Sequence, residues 1–385
     1  MSQPWISAKL KDCFKLKSGE NLTAKNMIAG EYPVFGGNSQ AGTHNDFNLS
    51  GDNVIVGRVG ALCGNARHFT ENIWLTDNAF KITQHKFNFD NRFLTYLLNF
   101  KNLRQLARQA AQPVISNSSL ADLELSFPES IQTQKQIVAK LDQAFADIEK
   151  AKVNAEQNLK SSRELFDSYL EKIFSQKSEG LIERELLDIC NFKHGFAFKS
   201  EFFVPVSDYV LLTPGNFYEE GGYRDRGSKQ KYYQGDFPVE YLLSKGDLLI
   251  AMTEQAKGLL GSPILVPDSG QFLHNQRLGL VELSSDFDEK IHLPFMYHFF
   301  NTKYFRSKVQ ETATGLKVRH TSPKKMAVIS LSFPCELDVQ VLIAGKLDKA
   351  KKESLKLESI YTQKIKLLDE LKQSILQKAF NGELA

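Results

Sequence analysis

The sequence predicts an α+β protein in which two mixed, strand-rich domains alternate with two long helices. Two observations predict this architecture. A stretch of about fifty residues near the middle of the chain recurs near its end, and each copy has the heptad spacing of a long helix. At 385 residues the chain is long enough for two ordinary domains. We therefore expect domain, helix, domain and helix in that order.

The repeat keeps one register without a gap. Residues 123–128, Leu-Glu-Leu-Ser-Phe-Pro, recur at 329–334 as Ile-Ser-Leu-Ser-Phe-Pro. Residues 137–144 match 343–350, and the motif that ends at Phe174 matches the one that ends at Phe380. The upstream halves repeat more faintly, for example at Gly51-Asp52 and Gly246-Asp247. This pattern predicts two copies of one unit whose helices resemble each other more closely than their globular parts do.

Each repeated helix carries one apolar stripe. Residues 131–175 contain no Pro or Gly, and a helix of about 45 residues spans roughly 65 Å. Such a helix needs a partner, and the two copies can pair with each other as an antiparallel coiled coil with a pseudo-twofold axis. The predicted seam positions are Ile137, Leu141, Ala144, Ile148, Ala151, Ala155, Leu159, Phe166, Tyr169 and Ile173, with Ile343, Leu347, Ala350, Leu357, Tyr361, Leu368, Leu371, Ile375 and Ala379.

Four segments follow from this reading: a first domain at 1–130, a spacer helix at 131–178, a second domain at 179–334 and a second spacer helix at 335–385. In the domains, short apolar runs at 54–56 and 248–251 follow Gly-Asp turns and predict strands. Residues 93–98 and 295–300 predict a buried helix late in each domain. The remaining sequence is rich in loops, which the strands should present to a ligand.

Basic residues concentrate at the same place in both domains. No acid occurs between Asp90 and Asp122, and residues 303–325 contain a single acid, Glu311. Local basic faces of this kind bind phosphates, and loop Arg, Lys, Asn and Gln side chains can read base edges, although any one of them could be ordinary surface decoration. The candidate DNA-binding residues are Asn38, Gln40, Arg58, Asn65, Arg67, Arg104 and Arg108 in the first domain, and Arg224, Arg226, Lys229, Lys231, Lys257, Lys317, Arg319, Lys324 and Lys325 in the second.

Motifs for chemistry are scarce. The sequence has no GxxxxGK[ST] nucleotide loop, no amino-methyltransferase motif and no HExxH zinc motif. The four cysteines lie far apart, so we expect neither a zinc site nor a disulfide. The absence of long apolar runs and of a leader pattern predicts a cytoplasmic protein without a membrane span. Asp268, Asp288 and Lys290 fit a short nuclease pattern that arises readily by chance.

The helix motifs resemble those of one family. Both helices contain Ile-x-x-Lys-Leu-Asp and end in Leu-x-x-Ser-x-Leu-x-Lys-x-Phe, and both follow a hydrophobic-x-Leu-Ser-Phe-Pro strand. The chain resembles the specificity subunit of type I restriction-modification systems over essentially its whole length. One departure is the exit from the first helix, which lacks the Asn-Gly that follows Phe380.

The resemblance implies a non-catalytic protein that reads a bipartite site in double-stranded DNA, one half per domain. The helices would set the distance between the half-sites and dock two methyltransferase subunits, and separate restriction subunits would join the complex. This chain would bind no cofactor, since S-adenosylmethionine, ATP and Mg²⁺ would belong to the partners. Half-sites one helical turn apart are about 34–36 Å from each other, a distance that helices of this length can hold.

Two other functions stay open at this point. The chain could be a nuclease that uses Asp268, Asp288 and Lys290, or a coiled-coil adaptor that binds protein only. Salt-dependent DNA binding would argue against the adaptor.

Overall fold

The computed structural model describes residues 5–108, 113–176, 180–255 and 257–384. The boundary predicted between 178 and 179 lies outside these residues. The chain divides into two compact units, unit 1 with Met1–Glu156 and Thr362–Ala385, and unit 2 with Gln157–Tyr361. In the part of the chain that is described, no helix is long and apolar enough to cross a membrane.

Unit 1 is built on a closing strand pair and two sheets. Its strands are β1 (Trp5–Lys9), β2 (Lys15–Ser18), β3 (Tyr32–Phe35), β4 (Gln40–His44), β5 (Asn53–Gly57), β6 (Ala66–Phe69), β7 (Trp74–Leu75), β8 (Ala79–Thr83) and β9 (Glu124–Pro128). Its helices are α1 (Leu10–Cys13), α2 (Asn91–Phe100), α3 (Asn117–Leu120) and α4 (Ile131–Ser175), which continues into unit 2.

The strand order of unit 1 places its loops. β1 pairs antiparallel with β9, so the repeated Leu-Ser-Phe-Pro strand closes the domain. The first sheet has the order β2-β8-β5-β6, and the second has the order β4-β3-β7. Along β5, Val54 and Val56 join the core under α2, whereas Ile55 faces the other way, toward Ile73. Both faces of β5 are therefore covered, as its continuous apolar run predicts.

Unit 2 contains the same elements with additions. Its strands are β10 (Leu181–Glu185), β11 (Cys190–His194), β12 (Phe203–Val204), β13 (Tyr209–Leu211), β14 (Tyr232–Tyr233), β15 (Leu242–Leu243), β16 (Leu248–Ala251), β17 (Thr253–Glu254), β18 (Pro263–Leu265), β19 (Phe272–Leu273), β20 (Leu278–Leu283), β21 (Arg319–His320) and β22 (Ser330–Pro334). Its helices are α5 (Leu186–Ile189), α6 (Leu293–Phe300), α7 (Lys303–Glu311), α8 (Pro323–Ala327) and the part of α9 (Leu337–Phe380) that belongs to it.

The topology of unit 1 recurs in unit 2. β10 pairs with β22 as β1 does with β9, and the order β11-β20-β16-β18 repeats β2-β8-β5-β6. The parallel pair β13–β19 corresponds to β3–β7. Unit 2 extends its second sheet to β12-β14-β13-β19-β15 and adds the pair β17–β21. The predicted α+β class and internal repeat are confirmed.

The two long helices pack antiparallel within each unit. In unit 1, Lys152 forms an ion pair of 2.8 Å with Asp369. In unit 2, Arg163 pairs with Glu358 at 2.7 Å, and the Ser354 hydroxyl donates to the Ser162 carbonyl at 2.9 Å. In unit 1, Leu141 shares a core cluster with Ala379, and Lys152 further along α4 meets Asp369. In unit 2, Arg163 meets Glu358, and Leu170 further along α4 shares a cluster with Leu347. Within each unit, residue numbers therefore fall on α9 as they rise on α4. The predicted antiparallel coiled coil is confirmed.

Three predicted seam positions are wrong. Tyr169, Leu357 and Leu371 are 36%, 39% and 46% exposed. The seam instead takes Leu170, and Ser354 replaces Leu357. Apolarity alone selected the wrong residues, because the alternation of three and four residues fixes the phase of the seam. A small serine that can hydrogen-bond the opposite backbone fits the close approach.

A buried glutamine joins each helix to its domain. The Gln134 amide accepts from the Asp90 backbone at 2.8 Å and donates to the Pro128 carbonyl at 2.9 Å. Gln340 does the same with the His292 backbone at 3.0 Å and the Pro334 carbonyl at 2.9 Å. Each glutamine side chain therefore links the start of its long helix to two backbone groups of its domain.

The ends of the helices also close on the domains. In unit 1, Phe380 stacks on Phe100 with ring centroids 5.0 Å apart. In unit 2, Phe174 contacts Phe295 with centroids 5.0 Å apart. The repeated Leu-x-Lys-x-Phe motif thus ends each helix with an aromatic side chain that packs on a domain helix.

Candidate nucleic-acid interface

Three loops of unit 1 meet at one end of its sheets: residues 36–40 after β3, 58–65 after β5, and 101–108 with 113–115 after α2. Gly37 allows the first contact, because a Cβ there would lie 1.9 Å from the Val59 carbonyl oxygen. Val59 and Arg108 both form β-bridges with Val114, which brings in the third loop. The fold therefore gathers loops that are far apart in sequence.

Arg67 ties the first loop to the sheet. One guanidinium nitrogen donates to the Asn38 carbonyl at 2.6 Å and the other donates to the Gly36 carbonyl. The group lies 5.7 Å from the Phe35 ring, and burial lowers the pKa of Arg67. Both terminal nitrogens of its guanidinium are thus engaged with the protein's own backbone.

Asn38 and Arg104 hold the second loop from two sides. The Asn38 side-chain oxygen accepts from the Ala61 backbone N–H at 2.7 Å, and Arg104 donates to the Ala61 carbonyl at 2.9 Å. Arg58 is half-buried, with its guanidinium 5.4 Å from the Phe80 ring. The exposed candidates around this loop are Asn38, Gln40, Asn65, Arg104 and Arg108.

In unit 2 the basic loop residues line a cleft of about 540 Å³. Arg224, Arg226 and Lys231 contribute to its wall, together with Arg277, which the sequence analysis missed. Arg277 lacked any signal in sequence, since it stands alone before β20. Lys229 is exposed in the same Gly-rich loop. The carboxylates of the cleft are Glu219, Glu220 and Glu254.

Glu254 forms a buried centre beneath this cleft. One carboxylate oxygen accepts from the backbone N–H groups of residues 258–260 at 2.8–2.9 Å and from the Gln310 amide at 3.1 Å. The other oxygen accepts from Arg319 at 3.0 Å. Burial alone would raise the pKa of Glu254, but these hydrogen bonds outweigh it and hold the pKa below its ordinary value of 4.5. No sequence pattern had singled out this residue.

The remaining candidates of unit 2 divide into exposed and engaged groups. Lys257, Lys317 and Lys324 are exposed. Arg319 is engaged with Glu254, and Lys325 donates to the Thr312 carbonyl at 2.8 Å. For every candidate in either unit, contact with bases or phosphates stays a prediction.

The residues of the nuclease pattern form no metal site. Asp268 accepts from the backbone of Ser269 at 2.9 Å, within its own turn, and Lys290 lies over the Phe287 ring. Across the described ranges, no group of three or more His, Cys, Asp and Glu side chains could hold a metal ion. The geometry therefore offers no support for the nuclease alternative.

The chain matches known proteins in sequence. Residues 2–157 match the family model described as the type I restriction modification DNA specificity domain. The chain is 33% identical over 139 residues to the type I restriction enzyme EcoprrI specificity subunit of Escherichia coli, covering 34% of each protein. It is 26% identical over 228 residues to the EcoBI specificity subunit of Escherichia coli, covering 57% of this chain and 44% of that one. The matches thus span less than half of either relative.

Solved structures share the fold over nearly the whole chain. A chain from a structural study of complex assembly and conformational transition in a type I R-M system superposes with a TM-score of 0.75 at 14% identity, with both chains fully covered. The HsdS subunit of Thermoanaerobacter tengcongensis gives a TM-score of 0.62 at 15% identity, covering 98% of this chain and 97% of that one. Residues 2–157 are thus similar to the type I restriction modification DNA specificity domain, and the fold of the whole chain is that of these solved structures.

Proposed function

We propose that the chain reads a bipartite sequence in double-stranded DNA, one half-site per unit, and catalyses no reaction itself. One observation carries this proposal. The two units share one strand order, and each presents exposed polar and basic side chains from loops at the same end of that order. The loops differ between the units, as different half-sites would require. The match of residues 2–157 to the type I restriction modification DNA specificity domain supports the same function.

The loops suit this task because the scaffold holds them before any ligand arrives. In unit 1, Arg67 and Asn38 fasten loops that leave Asn65 and Arg104 exposed. In unit 2, exposed Arg224 lies at the edge of the cleft, 5.8 Å from the Tyr218 ring. Loops that need no ordering on contact lose less conformational entropy on binding.

The helices would dock the partner subunits. Leu165 and Leu371 occupy equivalent positions in the repeat, and they are 69% and 46% exposed. The same apolar side chain, exposed twice at equivalent places, suits two copies of one partner, which we propose to be the methyltransferase subunit. S-adenosylmethionine, ATP and Mg²⁺ would bind the methyltransferase and restriction subunits in the cytoplasm.

Exchanging residues 1–130 for the equivalent domain of another specificity subunit tests the division of labour. Sequencing the methylated sites in cells that carry the chain and its methyltransferase should show one half-site changed and the other retained. A change in both half-sites would contradict one domain per half-site.

Salt dependence separates DNA reading from a protein-only adaptor. Neutralising several phosphates releases counterions, so the logarithm of the DNA association constant should fall with the logarithm of salt concentration with a slope of several ions. Binding that ignores salt, or no DNA binding together with the methyltransferase, would favour the adaptor.

A further inference from the structure

Glu254 lies where two loops of unit 2 meet. Its side chain is 1% exposed, and it belongs to the short pair β17–β21, opposite Arg319. The first loop follows it directly with Gln255 and residues 257–260, and the side chains of Gln255 and Lys257 are exposed. The loop at 314–320, which carries exposed Lys317, returns to it through Arg319.

The carboxylate holds the first loop from inside. Three successive backbone N–H groups, at residues 258–260, point at the same oxygen. On the outer side, Arg306 donates to the carbonyls of Glu219 (at 2.8 Å) and Gly258. Gly258 has φ +127, a conformation that favours glycine. The conformation of this loop therefore depends on an ionised acceptor at position 254.

The second loop is held through two side chains. Arg319 donates to Glu254 at 3.0 Å and to the Gln310 carbonyl at 2.8 Å, and the Gln310 amide donates back to Glu254 at 3.1 Å. Five donors thus surround one carboxylate. Because its charge is compensated within the protein, it can lie beneath a basic cleft without opposing the approach of phosphate groups.

We propose that Glu254 is a positioning residue for DNA reading by unit 2: it sets residues 257–260 and 314–320 in the conformation in which Gln255 and Val318 line the cleft of Arg224 and Lys317 is exposed. This inference rests on the proposed function. Glu254 itself touches no DNA, and its effect is specific to the half-site that unit 2 reads.

Selection from a library of randomised duplex DNA, with the full chain and its methyltransferase, first gives the preferred site of the wild type. Fluorescence anisotropy then compares binding to that duplex with binding to duplexes scrambled in one half-site. Glu254→Gln keeps the shape but removes the charge, and it turns a donor toward Arg319 or the loop. We expect the preference at one half-site to fall about tenfold, the effect of losing a hydrogen-bonded charge, with the other half-site within about twofold of wild type.

Other variants assign the affected half-site. It should be the one weakened by Arg224→Ala, whereas Arg104→Ala should weaken the other. Glu282→Gln is the matched control, since this half-exposed carboxylate pairs with Lys193 at 3.5 Å and lies outside the cleft. It should leave both preferences unchanged. The retained half-site also reports that the Glu254 variant is folded.

Several outcomes would overturn the inference. Glu254→Gln that keeps the wild-type preference at both half-sites shows that the carboxylate positions nothing. If Glu254→Gln misfolds and loses its preference at both half-sites, Gln310→Ala replaces it as the test, because that variant removes one donor to the Glu254 carboxylate. An unchanged preference of Gln310→Ala at the half-site that unit 2 reads then contradicts the inference. A wild type with no sequence preference would instead refute the proposed function, and this inference with it.

Discussion

The loop after β5 in unit 1 and the loop after β17 in unit 2 leave the same part of a shared strand order, but different chemistry holds each. In unit 1 a neutral amide, Asn38, accepts from the loop backbone at Ala61. In unit 2 a buried carboxylate, Glu254, accepts from three backbone groups and pairs with Arg319. The same scaffold can therefore carry different loops, because different side chains hold the loop in each unit.

We expect the largest difference in stability between the units when the ion pair of Arg319 and Glu254 is removed. Arg319→Leu leaves the Glu254 carboxylate buried without its cation and should cost about 3 kcal/mol of unfolding free energy, toward the low end for buried pairs because Arg319 is partly exposed. Denaturant unfolding measures it. The counterpart in unit 1, Arg104→Leu, should cost about 1 kcal/mol or less, since its partner carbonyl lies near solvent. Equal costs would contradict the comparison.

The contributions of Glu254 and Asn38 to the free energy of unfolding should also respond differently to pH. The folded pKa of Glu254 lies below its ordinary value of 4.5, so below that value the unfolded chain takes up the proton first. The stabilisation that Glu254 contributes is thus present in full above its ordinary pKa, and it is lost as pH falls through the pKa of the folded state. The stability difference between wild type and Glu254→Gln should be constant near neutral pH and shrink below pH 4.5. Asn38→Ala should show no such trend.

Turn glycines test what the units share. Gly51 (φ +80) and Gly246 (φ +90) occupy equivalent turns with open space around them, so the cost of a Cβ is conformational only. Substituting alanine should cost about 1 kcal/mol at each. Gly345→Ala is the control, because this helical glycine faces open space and corresponds to Ala139 in the first copy. It should stabilise the protein by about 0.5–1 kcal/mol.

The smallest expected effect is at Asn38. Asn38→Asp keeps the acceptor for the Ala61 N–H and lies on the surface, so the unfolding free energy should change by about 0.5 kcal/mol or less. Asn38→Ala removes the acceptor and should cost about 1 kcal/mol. If Asn38→Asp cost as much unfolding free energy as Asn38→Ala, a carboxylate could not replace the amide as the acceptor for this loop.

The repeat predicted much of the fold. The strand that ends in Phe127-Pro128, the helices at 93–98 and 295–300, and the antiparallel coiled coil all follow from local pattern and from the register of the two copies. Gln134 and Gln340 could also have been singled out from the sequence, because both copies of the repeat have glutamine at this position. Their role was missed because a glutamine in a helix gives no sign of which backbone groups it will meet.

The candidate interface was only partly predictable. Composition located the basic stretches, but it did not separate exposed Arg224 and Lys317 from Arg67 and Arg319, which bind the protein's own carbonyls and carboxylate. That separation depends on which partner the fold brings within hydrogen-bond distance, and those partners are dozens of residues away in sequence.

By itself the sequence determined the order of elements, the length of the helices and the duplication, because periodicity, turn glycines and proline act over a few residues. Only the tertiary structure decided the phase of the seam, the choice of Ser354 over Leu357 and the burial of Glu254, because close packing and desolvation depend on neighbours that the chain supplies from afar. The sequence alone shows the duplication. Only the folded units show that different side chains hold the two loops, Asn38 in unit 1 and Glu254 in unit 2.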